Sequence, residues 1–311
     1  MLRFGLRIPQ HVADGAELRE LAQAAEQLGF DSLWLYDHFY HFPVYSNVNV
    51  LEAWTLMSVL AGATRHIRLG TMVLCHGYRP PALLAKMAAT LDVLSGGRLE
   101  FGYGAGWHAE EFEGYGYDFP PVATRIRQME EGLTLIKRMW SDDCANFDGR
   151  FYRLRDAVCD PKPLQKPHPP ITIGGGGEKS LLRAVARHAD FWNYFPVSLP
   201  EYEHKSRVLD DHCRALGRDP KSLQRSLVCP TVTAEWEKEV RDQLEGAKER
   251  GEMWAQTGQC VQGTPDIVVP RYRDYIRRGV NFFIVMLPDG RDLKRIEFVA
   301  KNVVAELNET V

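Results

Sequence analysis

The stretch Arg3–His38, RFGLRIPQHVADGAELRELAQAAEQLGFDSLWLYDH, reads as one strand–helix–strand unit. Arg3 to Ile8 is a short apolar run with strand character. Asp14 then stands at a helix N-cap with Glu17 three residues on, the spacing of a capping box. Leu18, Leu21, Ala22, Ala25 and Leu28 recur at helical spacing, and Gly29 supplies a left-handed stop. Ser32 to Tyr36 is the second strand, leaving Asp37 and His38 at its exit.

The same alternation continues outward from this unit. Residues 50–64 read as helix and Ile67 to Leu74 as strand. Pro80-Pro81 opens a helix whose buried side is predicted to carry Leu83, Leu84, Met87, Leu91 and Leu94, because proline suits a first helical turn. Arg98 to Gly104 is the fourth strand. Ile126, Met129, Leu133, Ile136 and Trp140 mark the next helix at spacings of three and four. Residues 142–170 interrupt the rhythm with a hairpin around Asp148-Gly149 and five prolines between Pro161 and Pro170. They read as an insertion, since the alternation resumes at once. Further strands are Ile171 to Gly174, Asp190 to Phe195, Arg225 to Thr233 and Asn281 to Leu287. The helices between and after them fall near 178–188, 200–216, 235–250, 265–279 and 291–308. Eight strands, nearly all followed by a helix, predict a single (β/α)₈ TIM barrel over residues 1–311, with its chemistry at the strand exits.

Composition agrees with such a core. Of 311 residues, 45% are hydrophobic and 25% charged, and the formal charge is −3. These values exclude a disordered or collagen-like chain. The absence of like-charge blocks argues against nucleic-acid or anionic-membrane partners. No run approaches the ~20 apolar residues of a membrane span, and the start lacks a signal-peptide plan. Six cysteines without a C-x-x-C spacing read as free thiols. The expectation is a soluble cytoplasmic protein acting on a small molecule.

Three strand exits carry the candidate chemistry. Ile173-Gly174-Gly175-Gly176-Gly177-Glu178-Lys179-Ser180 runs from strand into helix. Its glycines let backbone approach a ligand, and a helix start offers N–H groups to an anion. A tight turn needs only one glycine, so a phosphate site is the preferred reading. Gly102-Tyr103-Gly104-Ala105-Gly106-Trp107 is a second glycine-spaced exit, read as passage of a flat ring, with tight packing at the barrel rim as the alternative. At the third exit, an imidazole such as His38 is a natural proton donor or acceptor, and Asp37 either orients it, binds a ligand or caps the loop. His38 with His41, or His108 with Glu111, makes no recognised zinc spacing, so no metal is expected. Cys75 has no sequence-local base and is not read as a nucleophile. Trp34, Trp54 and Trp140 are read as packing, and residues 39–49, 107–119 and 142–170 as walls of a substrate pocket.

Taken in order, the motifs resemble the luciferase-like monooxygenase superfamily, in its branch that uses the deazaflavin coenzyme F420. The matching text is Leu28-Gly29-Phe30-Asp31-Ser32-Leu33-Trp34, Asp37-His38-Phe39, Leu51-Glu52-Ala53-Trp54 and Ile67-Arg68-Leu69-Gly70-Thr71. It continues through Tyr78-Arg79-Pro80, Leu94-Ser95-Gly96-Gly97-Arg98, Gly104-Ala105-Gly106-Trp107 and Pro169-Pro170-Ile171-Thr172-Ile173-Gly174-Gly175. The match is dense to about residue 195 and sparser beyond.

The resemblance implies a (β/α)₈ barrel with insertions and, commonly, a homodimer. It implies Asp37, Cys75, Ala105, Gly106 and Glu110 near the ring or ribityl chain. Gly175, Gly176, Gly177, Lys179 and Ser180 would lie at the phosphate, and His38 beside the hydride-transfer carbon. A non-prolyl cis peptide behind the ring would fall at Met72-Val73. Cys75 stands where related deazaflavin enzymes often carry threonine. Trp107 replaces the acidic residue of the family's sugar-phosphate dehydrogenases, which argues against glucose-6-phosphate oxidation. Two alternatives stay open: an FMN-dependent monooxygenase served by a separate reductase, and a non-catalytic flavin-binding protein.

Overall fold

A computed structural model describes residues 2–11, 14–41, 48–195 and 198–309. Eight strands form a closed parallel barrel: β1 (Arg3–Arg7), β2 (Ser32–Leu35), β3 (Arg68–Thr71), β4 (Leu99–Gly104), β5 (Ile171–Gly174), β6 (Phe191–Tyr194), β7 (Gln224–Val232) and β8 (Phe282–Met286). Each pairs with the next, β8 returns to β1, and the pairing of β6 with β7 runs from Phe191↔Gln224 to Tyr194↔Leu227. The predicted strand count and architecture both hold.

Helices ring the barrel: α1 (Gly15–Gln27), α2 (Ala53–Ala63), α3 (Pro81–Leu94), α4 (Ala109–Gly114), α5 (Val122–Ser141), α6 (Leu181–His188), α7 (Leu199–Ala215) and α8 (Glu237–Glu249), with further short helices after β7 and β8. The Asp14 carboxylate accepts the Ala16 amide at 2.8 Å, as a cap should, and Gly29 turns at φ +82°. Glu52 caps α2 in the same way, accepting the amides of Trp54 and Thr55.

Strand alternation sends Phe4, Leu6, Leu33, Leu35, Phe283 and Val285 outward into the main core beneath the helices. It sends Trp34 and Ile284 into the lumen, where they cluster with Phe282, Met72 and Phe191. The indole fits because Gly5 and Gly70 flank it: a Cβ at either position would come within 2.6 and 2.8 Å of the ring, respectively. At the bottom of the lumen, buried Glu100 accepts from Arg3 at 2.7 Å and Arg68 at 2.5 Å. The barrel is therefore filled from below, and open space remains only toward the strand exits.

Several expectations are corrected. Leu83 and Leu94 face solvent, at 54% and 76% exposure, while Ala85, Ala88 and Ala89 make the buried face of α3 with Leu84 and Leu91. Small residues let α3 lie close to its neighbours, so a count of large apolar residues misplaces that face. The strand predicted over Ile67 to Leu74 breaks at a cis Met72–Val73 peptide and resumes at Leu74–Cys75. Arg98, which follows Ser95-Gly96-Gly97, is a structural knot. It donates to the carbonyls of Ala61, Thr64, Ile67 and Ser95 and to the Thr64 hydroxyl.

The 142–170 insertion contains the expected hairpin, Ala145–Asp148 with Arg153–Ala157, but it lies away from the mouth. Its 150–152 amides bind Glu131 of α5, and Gln165 binds Asp92, the Leu99 carbonyl and Arg68. It braces the outside and the base of the barrel and contributes no wall to the cavity at the strand exits. Residues 42–47, within the predicted pocket segment 39–49, lie outside the described residues.

Candidate active site

A cavity of about 450 Å³ opens at the exits of β2 to β6. Its lining brings together eight of the residues singled out by sequence: Asp37, His38, Met72, Val73, Cys75, Ala105, Gly106 and Gly175. Trp107, His108, Val122, Arg125, Ile126, Leu181 and Asn193 complete much of the wall. Such a mainly apolar slot with a few fixed polar groups suits a flat, partly polar ligand. Glu110, Gly176, Gly177, Lys179 and Ser180 do not line it. Glu110 is largely exposed, its carboxylate 3.7 Å from His108.

The acid that serves His38 is Glu111, the neighbour of the predicted Glu110. His38 Nδ1 lies 2.7 Å from Glu111 Oε2, and Glu111 is almost wholly buried. The other Glu111 oxygen accepts the amides of Phe39 at 2.7 Å and Tyr40 at 3.1 Å, and Tyr78 Oη donates to Oε2 at 2.8 Å. Burial alone would raise the Glu111 pKa. The contacts from His38, Tyr78 and Tyr40 outweigh it and hold the group below the usual carboxylate range. Facing an ionised carboxylate, Nδ1 carries its hydrogen and donates it to Glu111, which leaves Nε2 as the ring atom that can exchange a proton with a ligand. The imidazole is also wedged between Trp107 at 5.5 Å and Tyr36 at 5.8 Å between ring centroids.

Asp37 does not orient His38. Its carboxylate accepts the Cys75 amide at 2.8 Å and both terminal nitrogens of Arg79 at 2.9 Å, and Arg79 reaches on to Glu52. This buried fork ties the exits of β2 and β3 to the N-terminus of α2. Burial pushes the Cys75 thiol up to about 12, so it is inert at neutral pH. Peptide mass spectrometry after iodoacetamide treatment at pH 8 is expected to find exposed Cys144 alkylated and Cys75 unmodified over the same interval.

The two glycine-spaced exits owe much of their composition to packing. A Cβ on Gly102 would sit 1.8 Å from the Thr71 carbonyl oxygen, and one on Gly104 2.5 Å from Val73 Cγ2. The rim-packing alternative therefore accounts for both residues, although Gly104 also lines the cavity. Gly175 turns at φ +118°, and a Cβ there would meet Leu181 at 2.6 Å; one on Gly176 would meet Tyr194 at 2.5 Å. The argument that one glycine would suffice at this turn thus fails, because its neighbours demand more. What remains for an anion is the segment before α6. There the amides of Gly177, Lys179 and Ser180 have no backbone acceptor outside the helix's own ladder among the described residues, and all three residues are exposed.

Sequence reasoning missed Arg125 and gave Glu111 no role beside His38. Arg125 is buried at the cavity wall, donating to the carbonyls of Ala105 at 3.3 Å and Pro120 at 2.5 Å and lying 3.9 Å from the Phe119 ring centroid. Neither residue has a local signature: Glu111 is 73 residues from its partner, and Arg125 reads as one more charge on an amphipathic helix.

The luciferase-like monooxygenase family model matches residues 2–277. An uncharacterised protein of Mycobacterium tuberculosis is 29% identical over 83% of this chain and 90% of its own length. An F420-dependent glucose-6-phosphate dehydrogenase of Amycolatopsis mediterranei is 33% identical, over 57% of this chain and 53% of that enzyme. An FMNH(2)-dependent dimethylsulfone monooxygenase of Pseudomonas putida is 35% identical, over 63% of this chain and 53% of that enzyme. Among solved structures, an F420-dependent secondary alcohol dehydrogenase superposes with a TM-score of 0.82 at 20% identity, over 98% of both chains. Relatives of similar closeness thus use two different cofactors.

Proposed function

The chain belongs to the luciferase-like monooxygenase family, and on that premise we propose that it is an F420-dependent oxidoreductase moving a hydride between the deazaflavin and a small organic substrate. The observation that carries this reading is the His38–Glu111 pair on the wall of the cavity. When bound, the deazaflavin supplies a ring carbon that takes up or releases a hydride. His38 Nε2 accepts the hydroxyl proton of an alcohol as the adjacent C–H bond gives up its hydride, and donates a proton to the carbonyl oxygen in the reverse direction. Glu111 holds the ring in register and stabilises the imidazolium that results.

The other residues position and exclude. Met72, Val73, Ala105 and Gly106 back the flat ring, while Asp37 keeps the Cys75 segment in place through its amide. The amides of Gly177, Lys179 and Ser180 hold the phosphate, with the α6 dipole adding about 0.3–1 kcal/mol. A guanidinium such as Arg125 adds positive charge for an anionic ligand at the same wall.

Titration of the purified protein with F420 and with FMN, followed by fluorescence and thermal shift, tests this reading. F420 is expected to bind at least about tenfold more tightly. Tighter FMN binding would instead favour a two-component monooxygenase working with a separate reductase, the reading supported by the dimethylsulfone monooxygenase relative. F420 binding without turnover across alcohols, ketones and enones would leave a flavin-binding protein.

A further inference from the structure

A second cavity, of about 370 Å³, opens at the exits of β1, β6 and β8. Its walls are apolar at Phe195, Trp254, Met286 and Leu287, yet three guanidiniums line it. Two of these are neutralised locally. Arg250 donates to Glu252 at 2.9 and 3.1 Å, and Arg291 to Asp289 at 3.0 Å.

Arg7 is different. It is the last residue of β1, on the inward face of the strand together with Arg3 and Gly5. It makes no ion pair among the described residues, and its enclosed Nε has no hydrogen-bond partner. Its guanidinium carbon rests 4.9 Å from the centroid of the Tyr36 ring. Burial lowers its pKa, and the charges of Tyr36 and Glu252 oppose that only in part. Beside it, His11 and His41 stand edge to face at 4.9 Å. Burial, then Arg7, takes the His11 pKa down to about 4, and the same two causes lower that of His41. Both shifts favour the neutral ring, and an imidazole in either protonation state gives Arg7 no negative counter-charge. Their Nδ1 atoms and Tyr36 Oη are further enclosed polar atoms without a partner.

Arg7 is half-buried, its Nε is enclosed without a partner, and no carboxylate among the described residues pairs with it, so its permanent charge is open to an anion entering the cavity. We propose that this cavity binds a small organic oxyanion, a carboxylate or sulfonate on an apolar body, with Arg7 as its anchor. The apolar walls take the body, and the guanidinium fork takes the two oxygens. As the substrate class of the oxidoreductase this rests on the reading above, because the anchor would then hold the anion beside His38, with only the Tyr36 ring between the two side chains. Anion binding itself does not depend on that reading.

The test measures binding of octanoate, benzoate and benzenesulfonate, against octanamide, benzamide and inorganic sulfate, by calorimetry on the full chain. At least one organic anion is expected to bind about tenfold or more tightly than its neutral amide and than sulfate. Arg7→Gln is expected to abolish that preference while affinity for the amide stays within about twofold. Equal binding of acid and amide by the unaltered protein would overturn the proposal, and so would an undiminished preference in a folded Arg7→Gln. Should Arg7→Gln fail to fold, the acid–amide contrast in the unaltered protein decides alone. F420 titration of the same samples separates the two readings. Lost cofactor binding with retained anion preference removes the hydride-transfer role and supports the site; the reverse removes the site alone.

Discussion

Replacing His38 by alanine is expected to lower turnover by about 10²–10⁴-fold while cofactor affinity stays within a few-fold. The asymmetry follows from the geometry. Nδ1 is committed to buried Glu111 at 2.7 Å, so the atom lost to chemistry is Nε2. The rest of the cavity wall, by contrast, is spread over backbone and apolar groups from four other strand exits, so a bound cofactor would lose little with one side chain. Glu111→Gln supplies the companion result. The amide keeps the shape but not the charge, and it leaves the Phe39 and Tyr40 amides on a weaker acceptor. Turnover is expected to fall again although His38 is unaltered, and exogenous imidazole is expected to restore part of the activity of His38→Ala but not of Glu111→Gln. Steady-state rates with separately measured cofactor affinity check this. Equal losses of both quantities in His38→Ala would make the imidazole a binding group only.

The parts of this molecule that were legible in its sequence are those governed by local physics. Asp14, Gly29 and the Pro80-Pro81 pair act within one helical turn, and the strand alternation of Leu33 to Tyr36 acts within one element, so each could be placed without knowing its neighbours. Closure of eight such units into a barrel followed from their number. Legibility failed where a residue's duty is defined by something far along the chain. Glu111 meets His38 across 73 positions, and Asp37 holds Arg79 across 42. Of the roles open to Asp37, orienting His38 falls to Glu111 instead, since next to His38 in sequence is not next to it in space. Arg7 offered no signal beyond one inward charge in an apolar strand. The glycines were read through a general rule, backbone approach to a ligand, when the observed neighbours of Gly102, Gly175 and Gly176 are Thr71, Leu181 and Tyr194. Family resemblance points to several of the cavity residues that local reading leaves ambiguous, while Glu110, which it places near the ring or ribityl chain, does not line the cavity.

Gly102→Ala is expected to be the most damaging single methyl group in the chain. In most buried sites an added methyl displaces a side chain and costs about 1–3 kcal/mol. Here the added carbon would sit 1.8 Å from the Thr71 carbonyl oxygen, 2.9 Å from the Thr71 carbonyl carbon and 3.1 Å from a Val73 methyl. The obstacle is backbone, held by the β2–β3 ladder, which the Met72 amide extends by donating to the Leu35 carbonyl at 2.8 Å. Relief requires β3 and β4 to part, which breaks ladder bonds in the closed barrel or carries the Met72–Val73 segment into the cavity. The expected cost is about 3 kcal/mol or more, seen as a fall in melting temperature on the order of 5 °C or more for a chain of this length. Gly62→Ala is the matched control, because nothing lies within 4 Å of its Cβ position and it sits within α2. There the exchange is expected to be neutral or slightly stabilising. If Gly102→Ala melted with the unaltered protein and bound cofactor as well, the close packing of β4 on the Met72–Val73 segment could not be what shapes the floor of the site.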